Sequence, residues 1–253
     1  MTKLKEKVAI ITGGAAGIGK STAELFLKEG ANVMLVDVNK EELQATVNEL
    51  DSSNLAYCVA DVSNPDDVKR YTGETIAHFG KIDIFFNNAG IEGTSSSIED
   101  YPDEIFDRVI AVNLKGVWYG CKYVIPKMTE GGSVMITSSV AGLKGFPNLG
   151  AYVASKHGVI GIMRVAALEF ASRKIRVNTI HPGPVNTEMM RRIETEISPD
   201  DSTEAQKGFE AIVPYGRYAE ASEISNLALF LASDESKYIN GNTYVIDGGI
   251  MAG

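Results

Sequence analysis

The chain has 253 residues, of which 44% are hydrophobic and 23% charged, proportions that exclude a disordered or fibrous polypeptide. Its 24 Lys and Arg against 33 Asp and Glu give a formal net charge of -9. With no local cluster of basic residues to offset that charge, nucleic acid is not an expected partner. Cys58 and Cys121 stand far apart with no ligand spacing around them, so neither a disulfide framework nor a metal site is expected, and the usage fits a reducing compartment. The first apolar run, Val8 to Ile11, is too short for a signal peptide, and no stretch reaches the ~20 apolar residues of a membrane span. The expectation is a cytoplasmic protein with no membrane association.

Apolar runs alternate with amphipathic segments from the start. Val8 to Ile11 reads as a buried strand, Ser21 to Glu29 as a helix closed by Gly30, Asn32 to Val36 as a strand and Glu41 to Leu50 as a helix. Leu55 to Val59 is the third strand, Asp66 to Phe79 a helix between Pro65 and Gly80, and Ile82 to Phe86 the fourth strand. A long helix over Asp103 to Met128, a strand Ser133 to Ile136, a second long helix Ala151 to Arg173 and a strand Ile175 to Ile180 follow. A helix over Ala221 to Leu231 precedes the last strand, Tyr244 to Ile246. About seven uniformly apolar strands alternating with helices predict an α/β fold, a doubly wound Rossmann-type parallel sheet with helices on both faces. No linker divides residues 1–253, so one domain is expected. Thr187 to Tyr215, charged and without strand pattern, interrupts the rhythm in the manner of a substrate lid.

The first strand runs into Thr12-Gly13-Gly14-Ala15-Ala16-Gly17-Ile18-Gly19, which opens a helix. Glycines at such a turn let the backbone approach a pyrophosphate on the helix N-terminus. The spacing is GxxxGxG, and a glycine turn taken alone also serves tight packing; its place between strand and helix carries the inference. Asp37 ends the second strand, where a carboxylate can bond a ribose diol and repel a 2′-phosphate. Neither Ala16 nor Val38 supplies a cation there, so NAD is favoured over NADP. Tyr152 and Lys156 lie four apart on one helix face, after the hydroxyls Thr137, Ser138 and Ser139 at a strand end. A tyrosine titrates near ~10, and an adjacent ammonium would lower that value and make a proton-transfer group.

In these motifs, together with Asp61-Val62, Asn87-Asn88-Ala89-Gly90, Asn113 and Pro182-Gly183-Pro184-Val185-Asn186-Thr187, the chain resembles the short-chain dehydrogenase/reductase family over essentially its whole length. The resemblance implies Tyr152 as general acid/base, Ser139 as hydrogen-bond donor to the substrate oxygen, Lys156 on the nicotinamide ribose, and Asn113 holding a water that links Lys156 to solvent. Asn113 also reads as a core residue satisfied by backbone groups. The resemblance further implies Gly13, Gly17 and Gly19 at the pyrophosphate, Ala16, Ile18 and Val38 among the cofactor-binding residues with Asp37, and Asp61 and Val62 at the adenine. Asn88 falls on the adenosine-side ribose, Gly90 beside the cofactor, Pro182 and Gly183 in the cofactor-binding loop, and Val185 and Thr187 at the carboxamide end of the nicotinamide. It implies a homotetramer assembled through the two long helices.

The resulting expectation is an NAD-dependent oxidoreductase that interconverts a secondary alcohol and a ketone, with cyclic, aliphatic, diol and steroid-like substrates all compatible. A β-ketoacyl carrier-protein reductase shares the motifs, and a catalytically silent NAD(H)-sensing module shares the fold. Ile91, Glu92, Val140, Gly142, Phe146, Asn148, Leu149, Met189 and Met190 are expected near the substrate, with Glu92 either binding a second hydroxyl or facing solvent. His181 is expected to position backbone, and Trp118 and Tyr119 to pack.

Overall fold

The computed structural model describes residues 2–253. It opens with β1 (Val8–Thr12), α1 (Gly17–Lys28), β2 (Asn32–Asp37), α2 (Lys40–Leu50), β3 (Leu55–Val59), α3 (Pro65–Phe79) and β4 (Ile84–Asn87). Then come α4 (Asp103–Val109), α5 (Gly116–Tyr123), β5 (Ser133–Thr137), α6 (Gly150–Glu169) and β6 (Arg176–Pro182). The chain ends with α7 (Glu188–Ile197), α8 (Ser202–Ile212), α9 (Ala221–Ala232) and β7 (Thr243–Ile246). The strands form one parallel sheet in the order β3-β2-β1-β4-β5-β6-β7. The order reverses between β1 and β4, which opens a crevice at the carboxyl ends of those strands.

The apolar runs are continuous because both faces of the sheet are covered. Ile10, Met34, Val36, Phe85, Val134, Ile136 and Val177 point to one side, against α3, α5 and α6 through Val68, Tyr71, Cys121, Val159 and Met163. Their neighbours Ala9, Ile11, Val33, Leu35, Ile84, Phe86 and Met135 point to the other, against α1, α2 and α9 through Phe26, Leu43, Ile224 and Leu231. Full burial of each Val, Leu, Ile, Phe or Met among these side chains stabilises the fold by roughly 1.5–3 kcal/mol before entropy is subtracted.

Three expectations are corrected. The helix predicted over Asp103 to Met128 is interrupted: residues Ile110–Lys115 form a π-helical turn between α4 and α5, and Ile125–Lys127 a 3₁₀ turn. The wide turn contains Asn113, whose amide is fully buried and engaged across the molecule. β4 begins two residues late because the buried Asp83 carboxylate turns aside to accept the Val8 N–H at 2.9 Å. Trp118 does not pack in the interior of the chain; it is 51% exposed on α5.

The segment that interrupts the sequence rhythm is helical. α7 and α8 leave and rejoin the body at adjoining points: Val185 and Ala219 pair in a short parallel bridge, and the Asn186 N–H donates to the Ala219 carbonyl at 2.8 Å. Arg191 ties the segment together. Its Nη1 donates to both Glu194 carboxylate oxygens at 3.0 and 2.8 Å and to Gln206 of α8 at 3.1 Å, and its Nη2 donates to Asn186 Oδ1 at 2.5 Å. No helix among the described residues is long and apolar enough to cross a membrane.

Candidate active site

A cleft of about 360 Å³ lies over the carboxyl ends of β1, β4, β5 and β6, roofed by α7 and α8. At one end is the glycine turn. Gly13 takes φ +65°, a left-handed conformation that L side chains rarely adopt, and a Cβ on Gly19 would lie 2.0 Å from the Gly13 carbonyl oxygen. These constraints let α1 start directly behind the turn. Its N-cap, Ala16, offers no side-chain partner and its first turn holds no carboxylate, so the unpaired N–H groups of that turn are left to a ligand. An anionic diphosphate fits this cradle.

Beyond the turn, Asp37 is fixed by the N–H groups of Ala15 (3.1 Å) and Asn39 (3.0 Å). Glu42, in the first turn of α2, lines the same end, and Asn39 donates to it at 3.1 Å. Sequence reasoning missed Glu42; its position one turn into the helix after Asp37 was the available signal. Two carboxylates here oppose a further phosphate. Val38 points away and is 68% exposed. Asp61 accepts from the N–H and hydroxyl of Ser63, at 2.8 and 2.7 Å, while Val62 packs beneath Gly116. Neither Asp61 nor Val62 is among the cleft walls, nor are Gly19 and Asn113.

Asn88 lines the cleft, but its amide is occupied. Nδ2 donates to the Thr12 carbonyl at 3.1 Å, and Oδ1 accepts from the Thr137 hydroxyl at 2.9 Å, so the side chain braces β1, β4 and β5 together. Three strand ends meet here, and their polar groups hold the amide at the cleft wall, where Oδ1 keeps a second acceptor position.

Ser139, Tyr152 and Lys156 converge on the middle of the cleft. Ser139 stands just past β5, with Oγ accepting the Ala141 N–H at 3.1 Å, which leaves its own proton free to donate. Lys156 Nζ donates to the Thr137 carbonyl at 2.9 Å and lies 5.5 Å from the centre of the Tyr152 ring. A side chain on Gly90 would sit 3.2 Å from Asn113 Oδ1 and 3.3 Å from Lys156 Nζ, so the glycine keeps the two groups neighbours. Asn113 exchanges hydrogen bonds with the backbone of Ile91, both 2.8 Å, and donates to Ser155 at 3.1 Å. Backbone groups satisfy most of the amide, and Oδ1 keeps one free acceptor position.

The expected depression of the tyrosine is not found in the protein alone. Burial pushes the Tyr152 phenol up to about 12; the neighbouring Ser139 hydroxyl opposes the rise and the charge of Glu92 adds to it. Burial also lowers Lys156 to about 8. The ammonium is aimed at the Thr137 carbonyl rather than at the phenol, so desolvation outweighs its attraction.

Pro182, Gly183, Val185 and Thr187 close the floor as β6 runs towards α7. A Cβ on Gly183 would lie 3.0 Å from Asp247 Cα, so a side chain there would displace Asp247. The far end is apolar, with Val140, Phe146, Leu149, Met189 and Met190 as expected, and with Ile193, Phe209, Ile212 and Ile250, which no sequence pattern marked. Ile91, Gly142 and Asn148 lie outside it: Ile91 is engaged with Asn113, Gly142 packs on Ser138, and Asn148 turns back to accept the Ser96 N–H at 3.0 Å. Among the described residues no group of three or more His, Cys, Asp or Glu is placed to hold a metal.

Comparison with known proteins places this arrangement. Residues 13–251 match the family model described as Enoyl-(Acyl carrier protein) reductase. The chain belongs to the short-chain dehydrogenase/reductase family. It is 39% identical to levodione reductase of Leifsonia aquatica over 99% of this chain and 96% of that one. The crystal structure of levodione reductase superposes with a TM-score of 0.95, covering 98% of this chain and 99% of that one. Cyclohexanol dehydrogenase of Acinetobacter sp. (strain SE19) is 38% identical over 97% and 95% of the two chains. Carveol dehydrogenase from Mycobacterium avium, solved in complex with NAD, matches with a TM-score of 0.93 at 32% identity over 100% of both chains.

Proposed function

We propose that the protein is an NAD-dependent dehydrogenase/reductase interconverting a secondary alcohol and its ketone, built as one domain with α7 and α8 as its lid. The observation that carries the reading is the convergence of Ser139, Tyr152 and Lys156 in the middle of a cleft that has a phosphate cradle at one end and apolar walls at the other. NAD, when bound, supplies the hydride acceptor or donor and, oxidised, a positive ring charge that favours a neighbouring phenolate. The Gly13, Ala16, Gly17 and Ile18 turn would hold its diphosphate, Asp37 and Glu42 its ribose side, and Pro182, Gly183, Val185 and Thr187 its nicotinamide side.

In oxidation Tyr152 Oη accepts the hydroxyl proton of the substrate; in reduction it returns that proton to the carbonyl oxygen. Ser139 donates to the same oxygen, a contribution of about 3 kcal/mol for one well-placed donor. Lys156 holds the adjoining ribose hydroxyl and, with the free acceptor of Asn113, passes the proton outward through water. The apolar far end and the resemblance to enzymes named for levodione, cyclohexanol and carveol favour a compact cyclic alcohol or ketone. A carrier-protein reductase, suggested by the description of the family model, is opposed by Asp37 and Glu42 if it needs NADPH, and by the net charge of -9 if it must dock an acidic carrier.

A homotetramer is the assembly this reading includes. Trp118 of α5 and Val165 and Leu168 of α6 present large apolar side chains to the outside, Leu168 with 80% of its surface exposed. The buried free thiols of Cys58 and Cys121 accord with a cytoplasmic setting. Absorbance at the NADH band, followed with cyclic secondary alcohols and ketones and with NAD or NADP, tests the function. Turnover with NAD on cyclic substrates is the expected result, and faster turnover with NADP would refute the coenzyme assignment.

A further inference from the structure

One ion pair stands in the substrate end of the cleft, and the proton transfer above does not use it. Glu92, on the loop after β4, and Arg192, in α7, both line the cavity. Arg192 Nε donates to Glu92 Oε1 at 2.5 Å, and Nη2 donates to Oε2 at 3.3 Å. The Glu92 side chain is 16% exposed and that of Arg192 60%, so the carboxylate faces inward while the guanidinium leans from the mouth. A second contact seats the same helix on the same loop: Glu196 accepts from the Ser95 N–H at 2.9 Å and from the Thr94 hydroxyl. Arg192 and Glu196, four residues apart, share one face of α7, so two points fix the position of the carboxylate.

An ionised carboxylate only accepts hydrogen bonds, and it has about four lone-pair positions. Arg192 takes two. The remaining two are left to a cavity that Glu92 shares with Phe146, Leu149, Met189 and Met190, where an unfilled acceptor is costly and a hydroxyl is the donor that fits. A plain hydrocarbon leaves both positions unfilled, and a substrate carboxylate meets like charge.

Resting on the dehydrogenase reading, we propose that Glu92, oriented by Arg192, is a specificity-determining residue that receives a second hydroxyl of the substrate, so that uncharged diols and hydroxyketones are preferred over simple alcohols and over acids. Tyr152 and Ser139 engage the reacting oxygen, and Glu92 engages the other. The short loop between Gly90 and Glu92, held by Asn113, sets the spacing between the two recognition points.

The test compares kcat/KM for cyclohexanol, the cyclohexane-1,2- and 1,4-diols and 4-hydroxycyclohexanecarboxylate, with NAD, in the wild type, Glu92→Leu and Arg192→Met. The wild type should favour a diol over cyclohexanol by about tenfold or more, as a site that bonds a hydroxyl discriminates against its absence. Glu92→Leu should collapse that ratio towards one, and Arg192→Met, which keeps the carboxylate, should retain part of it. Calorimetric binding of the diols to the NADH-loaded protein gives a second readout, with affinity falling in Glu92→Leu more than that of cyclohexanol. An unchanged ratio in Glu92→Leu, or preference for the acid, overturns the proposal. If no substrate turns over, the dehydrogenase reading fails by itself. Calorimetry then judges Glu92: unaltered diol binding in Glu92→Leu refutes its role, and lost binding supports it.

Discussion

The imidazole of His181, fully buried at the end of β6, bonds through Nδ1 to the backbone carbonyl of Ser139 at 2.9 Å. A carbonyl only accepts, so Nδ1 carries the proton, and Nε2 accepts from the Thr179 hydroxyl at 2.8 Å. The residue that presents its hydroxyl to the reacting oxygen is therefore seated from behind by a neutral histidine.

Burial lowers the pKa of His181 below its ordinary 6.5, so the folded chain resists a proton that the unfolded chain accepts. The linked stability is present above about pH 6.5 and is lost as pH falls further. Thermal melts from pH 8 to 5 should show this loss. His181→Leu should flatten the acid limb while lowering stability at neutral pH by about 1–3 kcal/mol, because the Ser139 carbonyl loses its donor.

Removing the phenolic oxygen isolates its role. Tyr152→Phe should abolish turnover in both directions while leaving the affinity for NADH, measured by fluorescence titration, within about tenfold, since one lost hydrogen bond to the ligand is worth about 0.5–1.5 kcal/mol. Wild-type turnover by this variant would refute the proton-transfer assignment.

Lys156 costs stability in the protein without coenzyme. Its buried ammonium has a pKa of about 8 against 10.5 when free, a difference of about 3 kcal/mol against folding when both states are charged. That penalty is complete below pH 8 and fades as pH rises towards 10.5, because the folded chain releases its proton first. Lys156→Met should therefore be inactive and, although the Thr137 carbonyl loses its donor, should compare more favourably with the wild type in melting temperature at pH 7 than at pH 10. An equal difference at both values would show that charge burial is not the cause.

The two carboxylates at the ribose end make a separable statement. Asp37→Ser should raise kcat/KM with NADP and lower it with NAD, each by about tenfold, as one charge repulsion and one charged hydrogen bond are removed. Glu42 stays in place in that variant, so NADP should improve without overtaking NAD until Glu42→Gln is added. Kinetics with both coenzymes check the order.

The sheet could be read from the sequence because burial on both faces writes each strand as an unbroken apolar run, as in Val8-Ala9-Ile10-Ile11. The glycine turn, Asp37, Ser139, Tyr152 and Lys156 were legible for a related reason: their chemistry depends on local spacing and on which strand end they follow. What stayed hidden depends on pairs distant in the chain. Arg192 meets Glu92 100 residues away, and His181 meets Ser139 across 42. The π-helical turn at Asn113 was equally invisible, since its apolar neighbours repeat with ordinary helical spacing and only the buried amide distinguishes it.

The closed base formed by Val185 and Ala219 gives residues 186–218 the character of a cassette. Its ends already touch, so lengthening or shortening what lies between changes the closure entropy only slowly. Proton transfer and coenzyme binding draw mainly on residues outside the cassette, whereas Met189, Met190, Arg192 and Phe209 lie inside it. Substitutions confined to that stretch would reshape the roof of the substrate end, facing Glu92, Phe146 and Leu149 outside it, and leave Ser139, Tyr152 and Lys156 untouched.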